Sequence, residues 1–339
     1  MSDTVVRTAE ITAAGAPLRI RTIPRPVLPP DMVQIKVAYA GVCHSDLHIK
    51  DGVMIKQNPG RKFEGTVLGH EIAGFVEEIG KEAEGEKLAI GDRVIVCPWK
   101  GCCKCDSCEA GDNNICTNNP AGLHDIGIGP YETGGFQSVI NIKPEFLLKV
   151  DPDVGLDIAC MLPCSACTVY SALKKLGGAI ESAKGRSGSA RLLLIGAGGL
   201  GLWAIKLAKV MYDKIHVTTA DIDESKLGLA KEAGADDTIA IDRNASPAES
   251  RDNLAKSGMY NAVIDLVGAA STGNTAILCL QTGGAMVIIG LFGGNFSVPM
   301  PLMIQRSLTV MGSKTSTRRE VAEVLDLVRK NNLTFLRHH

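Results

Sequence analysis

The sequence has no excess charge of either sign: 36 Lys and Arg face 37 Asp and Glu over 339 residues, a formal net charge of -1. With no overall basic field to hold nucleic acid or an anionic lipid surface, the expected ligand is small, with no nucleic-acid and no membrane partner. An uninterrupted apolar run is also missing. Residues 266–305 carry no charge, but Ser, Thr, Asn, Gln, Pro and repeated Gly break them well before the roughly 20 apolar residues a membrane span needs. Buried sheet is expected there. The opening MSDTVVRTAE has no apolar signal core, which predicts a cytoplasmic protein. Internal repeats and low-complexity segments are absent too. What is present, 45% hydrophobic and 22% charged residues, fits a globular chain whose length predicts two domains. His338 and His339 are read as a tag remnant and set aside.

Cysteine is plentiful, with eleven in all and six between positions 97 and 116. Within WKGCCKCDSCEAGDNNIC, Cys102, Cys105, Cys108 and Cys116 read C-x2-C-x2-C-x7-C, a spacing that closes one tetrahedron around zinc. Four thiolates leave no open coordination position, so this zinc is structural and replaces a hydrophobic core in a polar loop. Disulfides or a redox pair suit a reducing cytosol poorly, and no basic run follows to suggest a nucleic-acid finger. Cys97 and Cys103 fall out of register and read as spare thiols. A second set is scattered: Cys43 in AGVCHSDLH, His70 in GHEIAG and Cys164 in LPCSACTVY. Singly, each is an ordinary core residue. Together they have the two-thiolate, one-imidazole composition of a catalytic zinc with its fourth place open.

Further on, the apolar run 192–195 leads into Gly196-x-Gly198-x-x-Gly201 and then the helical pattern LWAIKLAKVM. This is the setting of a dinucleotide fingerprint. Gly196 permits the tight turn, Gly198 lets the backbone approach a pyrophosphate, Gly201 packs helix on strand, and the N–H groups of Gly199 and Leu200 face the anion. A second strand, 215–220, ends at Asp221, twenty residues after Gly201, where a carboxylate accepts the adenosine ribose hydroxyls and favours NAD over NADP. Strands at 238–241, 262–266, 285–289 and 308–311 complete a six-stranded doubly wound α/β sheet. Residues 1–155 read instead as short Val- and Ile-rich antiparallel strands such as 34–37, 72–77 and 93–96, a barrel-like domain.

GVCHSDLH, GHEIAGFVEEIG, GDRVIVCPW, the cysteine tetrad, LPCSACTVY and LLLIGAGGLG, in that order, resemble the zinc-dependent alcohol dehydrogenases of the medium-chain dehydrogenase/reductase family from about residue 15 to about 330. The resemblance implies a GroES-like catalytic domain over 1–155, a Rossmann domain over 156–312, and a return segment over 313–339. It implies two zinc ions and NAD. It makes Cys43, His70 and Cys164 the catalytic zinc ligands, Cys164 being preferred to Cys160 and Cys167 for its place four residues before Thr168. Glu71 becomes an occasional fourth ligand, and Asp46 the carboxylate that orients a ligand imidazole. Ser45 and His48 form a proton relay through the nicotinamide ribose, and His44 approaches the pyrophosphate. Lys226 joins the adenosine ribose, and Thr168, Val267 and Gly268 form the floor under the nicotinamide. Read without the resemblance, Asp46 suits a cap or turn, Ser45 a turn hydroxyl, His48 a loop histidine and Lys226 a solvated helix, while Trp99, in the sequence CPW, is expected either to narrow the substrate pocket or to be a core aromatic.

The implied reaction is reversible oxidation of a primary or secondary alcohol to an aldehyde or ketone, the zinc easing loss of the hydroxyl proton. A polyol dehydrogenase, where an acid more often takes the third ligand place, and a non-catalytic zinc- and nucleotide-binding protein are the alternatives. GLFGGNFSVPMPLMIQ resembles the segment that joins subunits, which implies a homodimer or homotetramer. Relatives usually continue past the position of Leu333; a chain ending at His339 implies one basic contact fewer near the pyrophosphate and an unpaired sheet edge.

Overall fold

Apolar side chains recurring at every second position drive the first third of the chain into strands with one buried face: Val33 and Ile35, Val94 and Val96, Ile140 and Ile142 all enter one core. The computed structural model describes residues 4–52, 64–85, 87–99, 101–118 and 134–334; His338 and His339 lie outside them. Two compact units result, Met1–Cys164 with Ser316–Lys330, and Ser165–Thr315 with Asn331–His339.

In the first unit β1 (Val5–Glu10) pairs antiparallel with β2 (Arg19–Pro24). A five-stranded antiparallel sheet follows, formed by β3 (Val33–Gly41), β4 (Glu71–Ile79), β5 (Arg93–Val96), β6 (Val139–Ile142) and β7 (Leu147–Lys149) in the order β6-β3-β4-β5-β7. Two register shifts bend β3 where it pairs with β4, between Gln34 and Ile35 and between Val37 and Tyr39. The pairing ends on Gly41 opposite Glu71, so the chain leaving β3 and the chain entering β4 meet at one edge. Cys43 and His70 lie on those two segments. Helices α1 (His44–Lys50), α2 (Asp106–Glu109) and α3 (Leu156–Ala159) complete the unit before it is left. Because α3 packs on β3 and β4, the unit runs to Cys164 and not to a boundary near 155.

The second unit opens on α4 (Cys167–Ser187) and carries six parallel strands: β8 (Ala190–Ile195), β9 (Ile215–Asp221), β10 (Asp237–Ala240), β11 (Tyr260–Asp265), β12 (Leu280–Ile288) and β13 (Thr309–Gly312). Their order is β10-β9-β8-β11-β12-β13, which reverses between β8 and β11 as in a doubly wound dinucleotide fold. The central strands β8 and β11 are mostly apolar and covered on both faces; β11 is buried at every position. The crossovers are α5 (Gly199–Met211), α6 (Glu224–Glu232), α7 (Pro247–Leu254), α8 (Ala270–Cys279) and α9 (Met300–Arg306). The chain then returns to the first unit as α10 (Arg318–Lys330), whose buried Val321, Val324, Leu325 and Val328 form one helical stripe.

Candidate functional site

At the edge where β3 and β4 meet, one donor atom from each of Cys43, His70, Glu71 and Cys164 lies within 4.8 Å of all the others. His70 Nε2 is 3.3 Å from Cys164 Sγ, close to the roughly 3.6 Å expected for an imidazole nitrogen and a thiolate on one tetrahedral zinc. His70, Glu71 and Cys164 are buried and Cys43 is half-buried. Cys164 stands in Leu162–Ala166, a wide π-helical turn that precedes α4, a local geometry that recurs at functional sites. Gly41 gives Glu71 its room: a Cβ there would fall 2.2 Å from Glu71 Oε2.

Asp46 binds this cluster together. Its Oδ2 accepts the Cys43 N–H at 3.0 Å, which caps α1 in a capping-box arrangement, while Oδ1 lies 3.3 Å from His70 Nδ1 and accepts the Gly69 N–H at 3.3 Å. One buried carboxylate thus touches both the N-cap of α1 and the His70 ring. It fixes which imidazole nitrogen faces the sulfurs. Burial works against a proton on His70, but Asp46 and Cys43 outweigh it and raise the imidazole pKa to about 10. The Cys43 thiol is lowered to about 4, chiefly by Cys164 and with help from His70 against burial; the Cys164 thiol is raised well above its usual value by Cys43 and by burial. The donors thus pair a thiolate at Cys43 with a protonated imidazole at His70. A zinc ion, displacing protons, fits that donor set.

The other predicted tetrad also assembles. Cys102, Cys105, Cys108 and Cys116 place their sulfurs within 4.8 Å of one another, and Cys105 Sγ is 3.8 Å from Cys116 Sγ, against about 3.8 Å between two sulfurs on a tetrahedral zinc. Cys105 caps α2, Gly111 takes a left-handed φ of 90°, and the Cys102 N–H donates to Cys116 Sγ at 3.3 Å. Gly101 admits no side chain, since a Cβ would meet Cys108 Sγ at 2.4 Å. Cys97, Cys103, Cys160 and Cys167 join neither group. Burial pushes the Cys97 thiol up to about 12, as befits a core residue.

On α1 the half-buried Ser45 places its Oγ 3.7 Å from Cys43 Sγ. His48 follows three residues later on the same helical face, and its ring centroid is 5.9 Å from that of the exposed His44. Trp99, after β5, donates from Nε1 to the Pro163 carbonyl at 2.9 Å and places its ring 5.9 Å from that of His70. It is a half-buried wall beside the donor set, not a core aromatic.

In the second unit Gly196, at φ 113°, turns the chain after β8, and a Cβ on Gly201 would meet the Gly196 carbonyl oxygen at 2.2 Å. Gly198 and Gly199 face open space, and with Leu200 they form the free N-terminal turn of α5. Helix N-terminal N–H groups of this kind are able to hold an anion. Asp221 ends β9; its Oδ2 accepts the Ala197 N–H at 2.7 Å and its Oδ1 the Asp223 N–H at 3.0 Å. Lys226, on α6, forms an exposed ion pair with Asp223 at 3.8 Å. Ile222, Lys226, Ile241 and Arg243 line a shallow groove beside it. Thr168 is buried in the first turn of α4. Val267 and Gly268 follow β11, where Gly268 has φ 70°.

Sequence reasoning missed Asp265, whose fully buried side chain accepts the N–H groups of Val267 and Gly268. Its one signal was position: an acid closing an apolar strand, immediately before the charge-free residues 266–305.

Residues 29–152 match the family model "Alcohol dehydrogenase GroES-like domain" and residues 199–330 match "Zinc-binding dehydrogenase". The chain is 32% identical to an NAD-dependent alcohol dehydrogenase of Sulfurisphaera tokodaii over 95% of its own length and 89% of that protein. It is also 32% identical to an NADP-dependent alcohol dehydrogenase of Mycolicibacterium smegmatis, over 95% and 87%. The crystal structure of the alcohol dehydrogenase from Aeropyrum pernix superposes with a TM-score of 0.80 at 29% identity, covering 96% of this chain and 90% of that one. Fold, donor sets and sequence converge: the chain belongs to the zinc-binding alcohol dehydrogenases of the medium-chain dehydrogenase/reductase family.

Proposed function

We propose that the protein oxidises a primary or secondary alcohol reversibly with NAD, using a zinc ion held by Cys43, His70 and Cys164. The observation that carries this reading is the convergence of those donors with Glu71, braced by Asp46. Three protein ligands leave a place for substrate, and zinc supplies Lewis acidity that eases loss of the alcohol proton. Glu71 is poised to enter or leave the ligand set as the open place fills and empties. Ser45 would take the hydroxyl proton, and the half-buried His48, three residues further along α1, would exchange it with water. Trp99 limits the width of the substrate beside His70. Cys102, Cys105, Cys108 and Cys116 hold a second, structural zinc.

The dinucleotide, as hydride acceptor, takes its pyrophosphate at Gly196, Gly198, Gly199, Leu200 and Gly201, with His44 approaching it. The adenosine ribose hydroxyls bind Asp221, which repels a 2'-phosphate. Thr168, Val267 and Gly268 form the nicotinamide floor. A second copy of the chain covers Leu291, Phe292, Met300 and Ile304, apolar residues 70% to 79% exposed near the edge strand β13. Eleven cysteines, none of them in a disulfide, suit a reducing, cytoplasmic setting. The test is zinc analysis of the purified protein followed by NAD reduction against primary, secondary and polyhydric alcohols. Two zinc ions per chain with turnover support the enzyme; two with cofactor binding but no turnover support a non-catalytic protein.

A further inference from the structure

Asp265 closes β11 beside the point where the strand order reverses, the crevice in which open α/β sheets bind ligands. Its Oδ1 accepts the N–H groups of Val267 at 3.0 Å and Gly268 at 2.9 Å, and its Oδ2 accepts the Thr272 hydroxyl at 2.8 Å. The backbone carbonyl of the same residue accepts from Ile289 and Gly290, at 3.0 and 3.1 Å, so one residue ties down the loops after β11 and β12. The fit between those loops leaves no slack. A Cβ on Gly268 would meet the Gly290 oxygen at 1.9 Å, and the Leu266 N–H is bonded to the Ile195 carbonyl at 3.0 Å, next to the glycine turn.

Shape alone does not call for a charge here, since Asn or Ser caps such a turn as well as Asp. Burying a carboxylate is costly unless something compensates it, and among the described residues no cationic side chain pairs with Asp265. Burial accordingly raises its pKa, against the three hydrogen bonds. A buried carboxylate held by three hydrogen-bond donors but by no cation, beside a ligand crevice, points to a positive charge on the ligand. Of the two cofactor forms, the oxidised nicotinamide ring is cationic and the reduced ring is neutral.

We propose that Asp265 is a positioning residue for the nicotinamide end of the cofactor and that its charge favours the oxidised over the reduced form. The proposal rests on the reading of Val267 and Gly268 as the nicotinamide floor. Asp265→Asn isolates the charge: the amide oxygen still accepts both N–H groups, and the amide nitrogen donates to Thr272 Oγ1, whose hydroxyl turns to the Ala269 carbonyl 2.9 Å away.

Calorimetric titration of the zinc-loaded protein with NAD+ and with NADH tests this without turnover. In the Asn variant the ratio of the NAD+ to the NADH dissociation constant should rise about tenfold, the scale of one partly screened unit charge. Thr272→Val keeps the charge and loosens the loop, so it should weaken both forms in equal proportion. If Asp265→Asn does not fold, Asp265→Ser removes the charge instead and should move the ratio the same way. An unchanged ratio in a folded neutral variant overturns the proposal while leaving the cofactor reading intact. An unaltered protein that binds neither form overturns both.

Discussion

Asp46 Oδ1 stands 3.3 Å from His70 Nδ1 while the other oxygen of the same carboxylate accepts the Cys43 N–H at 3.0 Å. One side chain therefore fixes the orientation of two of the three proposed zinc ligands, which lie 27 residues apart in the chain. It does so because α1 begins one residue after Cys43 and puts Asp46 at the third helical position, where a carboxylate reaches back to the cap.

Asp46→Asn should lower zinc affinity at this site, or turnover, by about 10- to 100-fold, the usual cost of removing a carboxylate behind a ligand histidine. Zinc analysis during stepwise chelation checks it. The tetrad at Cys102, Cys105, Cys108 and Cys116, which Asp46 does not touch, should keep its metal.

Ser45→Ala removes a hydroxyl that touches the Cys43 sulfur but contributes no metal ligand. Two zinc ions per chain should remain, and kcat should fall by roughly 10²- to 10⁴-fold, the range for a lost proton acceptor. Steady-state kinetics on metal-replete protein measures it. Unchanged turnover would remove Ser45 from the proton path.

Gly198→Ala and Gly201→Ala should fail differently. A methyl group on Gly198 meets nothing within 4 Å of protein, so the variant should fold with an unaltered Tm and show a raised KM for NAD. On Gly201 it would strike the Gly196 carbonyl at 2.2 Å, so stability should fall by the roughly 1–3 kcal/mol of an overpacked site and Tm should drop with it. Thermal unfolding beside cofactor kinetics separates the two.

The unaltered protein should use NADP poorly, and Asp221→Ala should narrow the gap in kcat/KM between the cofactors by removing the carboxylate that repels a 2'-phosphate. Asp221 also accepts the Ala197 N–H, so the variant should lose some NAD affinity as well. Parity between the cofactors in the unaltered protein would discard this role.

Local chemistry was legible in the sequence wherever neighbours in the chain are neighbours in space. The tetrad spans residues 102–116 and the glycine turn 196–201, so spacing alone indicated their geometry. The central parallel strands β8 and β11 announced themselves as apolar runs because they are covered on both faces. Cys43, His70 and Cys164 gave no such signal. They are joined by the antiparallel register of β3 and β4 and by the wide turn that carries Cys164, neither of which a pattern of residue types encodes. Asp265 escaped because a lone acid at the end of a strand resembles any turn residue until its donors are seen.

Anomalous scattering at the zinc edge from crystals of the metal-loaded protein tests the central claim most directly. The expected result is two peaks per chain, one inside the cysteine tetrad and one about 2.3 Å from the sulfurs of Cys43 and Cys164 and about 2.0 Å from Nε2 of His70. A single peak, confined to Cys102, Cys105, Cys108 and Cys116, would contradict it.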